Sequence, residues 1–173
     1  MRWIFGYGSL IWRPDFNYNQ RRRALVRGWR RRFWQASPDH RGVPDAPGRV
    51  VTLVADASAL CWGVAFEPAA DELPAIIARL EVREQNGYEA CTVELEFDDG
   101  SRDQALTYIA PPHNPSFVGP APLAEMVAQI GRAVGPSGAN RDYLTALAAT
   151  LAELEIHDEE VERLHAALRA LEQ

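Results

Sequence analysis

The segment Phe5-Gly6-Tyr7-Gly8-Ser9-Leu10-Ile11-Trp12 sets two hydroxyl side chains between glycines and apolar residues. Glycine permits backbone dihedrals that aim successive N–H groups at one point, and such a point suits an anion the size of a carboxylate. Two other residues bring chemistry of a different kind. Glu84 falls just ahead of Asn86-Gly87, a pair that reverses the chain, and its carboxylate can carry a proton. Tyr143, in GANRDYLTAL, offers a phenol on a helical segment. Taken one at a time, these residues have ordinary explanations. Composition does not set Glu84 above Glu81 or Glu89, Tyr143 fits half-buried helix packing with its hydroxyl at the edge, and Ser9 fits a turn.

Several other chemistries are excluded. All 18 basic residues are arginine, which removes Schiff-base catalysis and any P-loop, since both need an ammonium. A dinucleotide fingerprint needs a third glycine where Ile11 stands, and Pro14 follows too soon for the required helix. Gly-Tyr-Gly-Ser lacks the second glycine of a nucleophile elbow. His157 and His165 do not have a chelating spacing, His40 and His113 stand alone in loops, and no HExxH occurs, so no metal site is expected. Cys61 and Cys91 sit in strand-like segments without a CxxC and are expected as reduced core thiols.

Charge is unevenly spread. Residues 1–50 hold 11 arginines against Asp15, Asp39 and Asp45, a net +8, which leaves −14 on residues 51–173. The stretch RRRALVRGWRRRFW, with Trp29, Phe33 and Trp34 among its arginines, invites a nucleic-acid reading. Its alternation equally fits strands with a charged outer face, and the pI of about 5.2 opposes nucleic acid.

The elements that must position these residues are read from periodicity. RWIF is a short buried strand leading into the glycine turn. Further strands are expected at ALVRGWRRRFW, GRVVTLVA, LCWGVAFE, ACTVELEF and QALTYIA, the last two joined as a hairpin at Asp98-Asp99-Gly100-Ser101. DELPAIIARLE reads as a short helix with Asp71 as N-cap, ending near Glu81. Leu123, Val127 and Ile130 mark one later helix; Leu144, Leu147, Leu151 and Leu154 the next; Val161, Leu164, Leu168 and Leu171 a last, with Gly-Pro-Ser-Gly as a turn between the first two. Strands first and helices later predict an α+β fold around one mostly antiparallel sheet or small barrel, with 173 residues and 47% hydrophobic composition forming a single domain, 1–173. There is no membrane-length apolar run and no signal-peptide pattern, so the cytosol is the expected location.

Taken together, FGYGSLIW, RRFWQASPDHRGVPDAPGRVVTL, CWGVAF, REQNGYE, NPSFVGPAPL and GPSGANRDYL resemble the ChaC family of γ-glutamylcyclotransferases, in order and from Trp3 to about Leu154. The resemblance implies a small mixed, mostly antiparallel β-barrel flanked by helices, with a helical C-terminal part and no metal or organic cofactor. It also implies cleavage of glutathione to 5-oxoproline and cysteinylglycine. In its terms Tyr7, Gly8, Ser9 and Leu10 form the loop that holds the γ-glutamyl moiety by its charged end, Glu84 is the catalytic acid and base, and Tyr143 lines the same pocket. Residues 158–173 are expected as a helix outside the resemblance. Asn86 replaces a glycine common in the family, with an expected effect on loop closure, and Phe117-Val118 stands where Tyr-Leu is usual, an expected packing change. Arg49 is assigned from charge alone to the glycine carboxylate at the far end of the substrate. The expected partner is glutathione, with no nucleic acid and no membrane, and the chain acting as monomer or homodimer. Two alternatives stay open: a cyclotransferase for other γ-glutamyl amines or amino acids, and a non-enzymatic module binding an anionic partner through the basic N-terminal face.

Overall fold

Five strands close into a barrel in the order β1-β3-β2-β4-β5 in a computed structural model that describes residues 2–171. The strands are β1 (Trp3–Gly6), β2 (Gln20–Ser37), β3 (Gly48–Glu67), β4 (Glu89–Phe97) and β5 (Arg102–Ile109). Between β1 and β2, Ser9–Ile11 forms one turn of 3-10 helix, and α1 (Leu73–Arg83) links β3 to β4. A two-stranded hairpin, β6 (Val134–Gly135) and β7 (Gly138–Ala139), lies between α2 (Leu123–Arg132) and α3 (Asn140–Glu153), and α4 (Glu159–Ala170) follows. The barrel is mixed, as expected: β1 runs antiparallel to β3, with Phe5 opposite Ala65, but parallel to β5, with Trp3 opposite Ala105. Closure leaves no unpaired sheet edge, the usual hazard of a small β protein.

Chain contacts divide into two units, one formed by the chain up to Arg30 with Leu53–Pro111, the other by Arg31–Thr52 with the chain from Pro112 on. In the first, Trp3, Ile4 and Phe5 are buried along with Leu25, Phe66, Leu95 and Phe97. Each such side chain withdrawn from water contributes about 1.5–3 kcal/mol. This is why the apolar run Trp3-Ile4-Phe5 forms, with Gly6, a strand whose residues are all inside, while Arg2 ahead of it stays exposed. The β4–β5 hairpin turns at the expected Asp98–Ser101, closed by the Gly100 N–H on the Phe97 carbonyl at 2.9 Å.

Three expectations are corrected. GRVVTLVA and LCWGVAFE are parts of one continuous strand, β3, because the polar residues between them still pair in the sheet. Asp71 is not the N-cap of α1: the helix opens at Leu73 after Glu72, with Pro74 in its first turn, where a missing N–H costs nothing. The helix also continues past Glu81, to Arg83.

The basic stretch on β2 is paired rather than bare. In the first unit Arg22 meets Asp99 at 2.7 Å, Arg23 meets Asp98 at 2.9 Å, Arg27 meets Glu96 at 2.9 Å and Arg30 meets Asp56 at 2.6 Å. The Asp99 carboxyl is held down to about 2, chiefly by the Ser101 hydroxyl and N–H, with Arg22 adding to it. In the second unit Arg31 meets Asp158 at 2.7 Å and Arg32 meets Glu160 at 2.9 Å. Burial pushes the Glu160 carboxyl above its ordinary value, against the pull of Arg32 and the Phe33 N–H. Much of the charge on this stretch is thus met, pair by pair, by acids from later in the chain.

The second unit packs α2, α3 and α4 through Val127 and Ile130, Leu144, Leu147 and Leu151, and Val161, Leu164 and Leu168, all buried. These are the faces that helical spacing predicts, except that Leu171 lies past the end of α4 and is exposed. Asn140, fully buried, clasps Arg49: its Oδ1 accepts from the Arg49 N–H at 2.6 Å and its Nδ2 donates to the Arg49 carbonyl at 2.8 Å. Among the described residues no helix is long and apolar enough to cross a membrane.

Candidate active site

Within the first unit, β1 delivers the chain into the Tyr7–Leu10 loop. Gly6 is needed there for close approach: a Cβ at this position would lie 2.8 Å from the Leu10 Cβ. The Tyr7 hydroxyl donates to the Tyr108 carbonyl at 2.7 Å and so pins the start of the loop to β5. The loop then enters the 3-10 turn, with the Ile11 N–H on the Gly8 carbonyl at 3.0 Å. Opening a helical turn leaves its first N–H groups, those of Ser9 and Leu10, outside the turn's own hydrogen bonds. These donors and the Ser9 hydroxyl are suited to a carboxylate.

Glu84 caps the C-terminus of α1, its N–H bonded to the Leu80 carbonyl at 2.8 Å. The reversal that follows uses Gly87, with φ of 84°; Asn86 does not take a left-handed conformation, so the glycine common at that place is not required by backbone geometry. Leu10 of the loop and Leu80 of α1 share a buried cluster with Ile4, Ile76 and Tyr108, which fixes the loop against the end of the helix that carries Glu84. Arg83 joins the two directly. Its Nη2 donates to the Ser9 Oγ at 2.7 Å and its Nε lies 3.5 Å from a Glu84 carboxylate oxygen. The carboxylate and the Tyr7–Leu10 loop are therefore within one guanidinium's reach of each other.

Two residues here escape a reading of the sequence. Arg83 looks like a basic residue placed in the last turn of a helix, and nothing in its local pattern links it to Ser9, 74 residues away. Tyr108 looks like an inward position of a strand. Its ring is 5% exposed, and its hydroxyl is buried without a hydrogen-bond partner among the described residues. Burial, with the negative charges of Glu81 and Glu84 nearby, pushes this phenol up to about 12, so it remains a protonated donor through the neutral range.

Tyr143 and Arg49 belong to the second unit. Tyr143 is 6% exposed, more deeply buried than half-buried helix packing predicts, with Phe33 edge-on to its ring at 6.0 Å and the Val51 N–H on its hydroxyl at 3.4 Å. Arg49 is buried too; its Nε donates to Gln129 Oε1 at 2.8 Å and its Nη1 to the carbonyls of Phe33 and Gly119, each at 3.0 Å. Burial lowers the guanidinium below its ordinary value. These partners account for its place as a tie between backbone segments. Phe117 packs edge-on to Trp34 at 6.2 Å, so its aromatic ring serves packing. Among the described residues, no three His, Cys, Asp or Glu side chains gather where they could hold a metal ion.

Comparison with known proteins places the chain in a family. The model described as "ChaC-like protein" matches residues 2–171, α4 included. The chain is 44% identical over 151 residues to glutathione-specific gamma-glutamylcyclotransferase 1 of Danio rerio, covering 84% of this chain and 76% of that protein. It is 41% identical over 167 residues to gamma-glutamylcyclotransferase 2-3 of Arabidopsis thaliana, covering 92% and 84%. A yeast crystal structure described as a γ-glutamyl cyclotransferase specific to glutathione superposes with a TM-score of 0.92 at 30% identity, covering 98% of this chain and 96% of that one. On the match of sequence, fold and nearly the whole chain, the protein belongs to the ChaC-like family.

Proposed function

We propose that this protein is a γ-glutamylcyclotransferase that cleaves glutathione to 5-oxoproline and cysteinylglycine. The observation that carries the reading is the meeting of the hydroxyl-bearing loop and the Glu84 carboxylate around Arg83, in a chain whose relatives are named for this activity.

The reaction is internal to the substrate. The α-amine of the γ-glutamyl residue attacks its own γ-carbonyl, a C–N bond closes the five-membered lactam, and the amide C–N bond to cysteine breaks. No enzyme nucleophile enters. An α-ammonium, with a reference pKa near 8, carries its proton at neutral pH and has no lone pair to attack with. Glu84 takes that proton and later hands it to the departing nitrogen, work worth about 10²- to 10⁴-fold. The ring nitrogen gives up its second proton as the amine is released, and the amine of cysteinylglycine takes one up in neutral solution.

The other requirement is a folded substrate. Holding the α-carboxylate on the N–H groups of Ser9 and Leu10 and on the Ser9 hydroxyl turns the amine toward the γ-carbonyl, and orientation of this kind supplies up to about 7–11 kcal/mol in favourable systems. To the Tyr108 hydroxyl, buried, protonated and close enough to Glu84 to feel its charge, this reading gives the part of donor to the oxyanion formed on attack.

The test is an end-point assay of purified protein with reduced glutathione, scoring both products, beside Glu84→Gln. Product from the wild type alone is expected. Normal turnover by a folded glutamine variant rejects Glu84 as the base; product only from other γ-glutamyl donors in a substrate panel reassigns the specificity.

A further inference from the structure

Arg83 closes α1, where a basic side chain gains from the helix dipole even with its head group in water. Its head group is not left in water. The side chain is 20% exposed, and its donors go to Ser9 Oγ at 2.7 Å, the Arg13 carbonyl at 3.0 Å and Asp15 Oδ2 at 3.1 Å, with Glu84 at 3.5 Å on the Nε side. Three of these four partners lie on the segment that follows β1, so one planar fork fixes that segment to the residue before Glu84. A lysine ammonium has no such fixed geometry.

We infer that Arg83 is a positioning residue of the cyclisation site, acting through Ser9 and Glu84 rather than on the substrate itself. This rests on the cyclotransferase reading above. By donating to the Ser9 oxygen, the guanidinium occupies a lone pair of the hydroxyl and leaves its hydrogen to point at the substrate carboxylate. A hydroxyl polarised by a cation is the stronger donor. At Glu84 the same charge favours the ionised form that a base requires. Glu84 and Glu81 both act on the Tyr108 phenol, and beyond the guanidinium lies Asp15. Among the groups named here, Arg83 is the cation beside the carboxylate.

The experiment compares wild type, Arg83→Gln, Arg83→Lys, Ser9→Ala and the Arg83→Gln/Ser9→Ala double variant, by kcat/KM for glutathione against pH and by calorimetric titration with glutathione. Arg83→Gln is expected to lower kcat/KM by roughly tenfold to a hundredfold, the scale of one charge-assisted hydrogen bond. Its acid limb should move to higher pH, because the carboxylate loses a neighbouring positive charge. On the Ser9→Ala background the loss shrinks, since the two residues act as a unit. Arg83→Lys keeps the charge and loses the fork: the acid limb stays and KM rises.

A loss that multiplies fully with that of Ser9→Ala while the acid limb stays fixed is what a purely structural arginine would give, and it overturns the inference. So does a lysine variant with the wild-type KM. If Arg83→Gln does not fold, the lysine variant decides by the same two readouts. A wild type that binds glutathione without forming 5-oxoproline removes the proposed function and leaves Arg83 judged by binding alone; one that does neither removes both.

Discussion

Replacing Tyr108 by phenylalanine should stabilise the protein and cripple it. The ring is 5% exposed and packed among Ile4, Leu10, Ile76 and Leu80, so phenylalanine fills the same space. What disappears is a buried hydroxyl with no partner among the described residues. Keeping such a group dry costs about 1–3 kcal/mol. At about 2–4 °C per kcal/mol for a chain of this length, Tm should rise by about 2–12 °C. The pH dependence gives a second, independent sign. A phenol whose value rises from 10.0 to about 12 on folding contributes stability that is present below pH 10 and lost as pH rises through about 12. Wild type should therefore lose stability across that window more steeply than Tyr108→Phe, as read by thermal melts at a series of pH values. Turnover should fall by about 10²- to 10³-fold if the hydroxyl meets the oxyanion. A lower Tm in the variant would show that the hydroxyl is satisfied in the fold. Unchanged kcat beside a raised Tm would remove Tyr108 from the chemistry.

Ser9→Ala should act mainly on KM for glutathione, because it removes one donor to the anchored carboxylate and leaves Glu84 in place; steady-state kinetics with an unchanged KM would deny Ser9 that role. Asn140→Ala strands both backbone groups of Arg49 in a buried site, and thermal or denaturant unfolding should show a loss of about 2–4 kcal/mol. A loss well under that range would mean that water or a neighbouring group takes over both bonds.

The arginines of β2 show why charge patterning along a chain is a poor guide to a surface. Their run invited an anionic ligand, yet Arg31 is answered by Asp158 and Arg27 by Glu96, partners 127 and 69 residues away. The exposed Arg27 pair adds little stability and the Arg31 pair is buried, but both cancel the field that a basic face would need to draw in a polyanion.

The elements themselves were legible because their causes are local. Buried β1 follows from four consecutive residues, the β4–β5 turn from Asp-Gly, and the faces of α2, α3 and α4 from apolar residues at helical spacing. The junction inside β3 and the start of α1 were misread. Sheet pairing held the polar middle of β3 together, and a proline in the first turn opened α1 without a side-chain cap. Motif resemblance supplied the loop, Glu84 and the family. What no stretch of sequence contains is the convergence of Ser9, Arg83 and Glu84, or the solitude of the Tyr108 hydroxyl. Local propensity reaches a few residues, whereas closing the barrel lays β1 beside β5 and seats α1 against both. Only that long-range packing decides which guanidinium meets which hydroxyl.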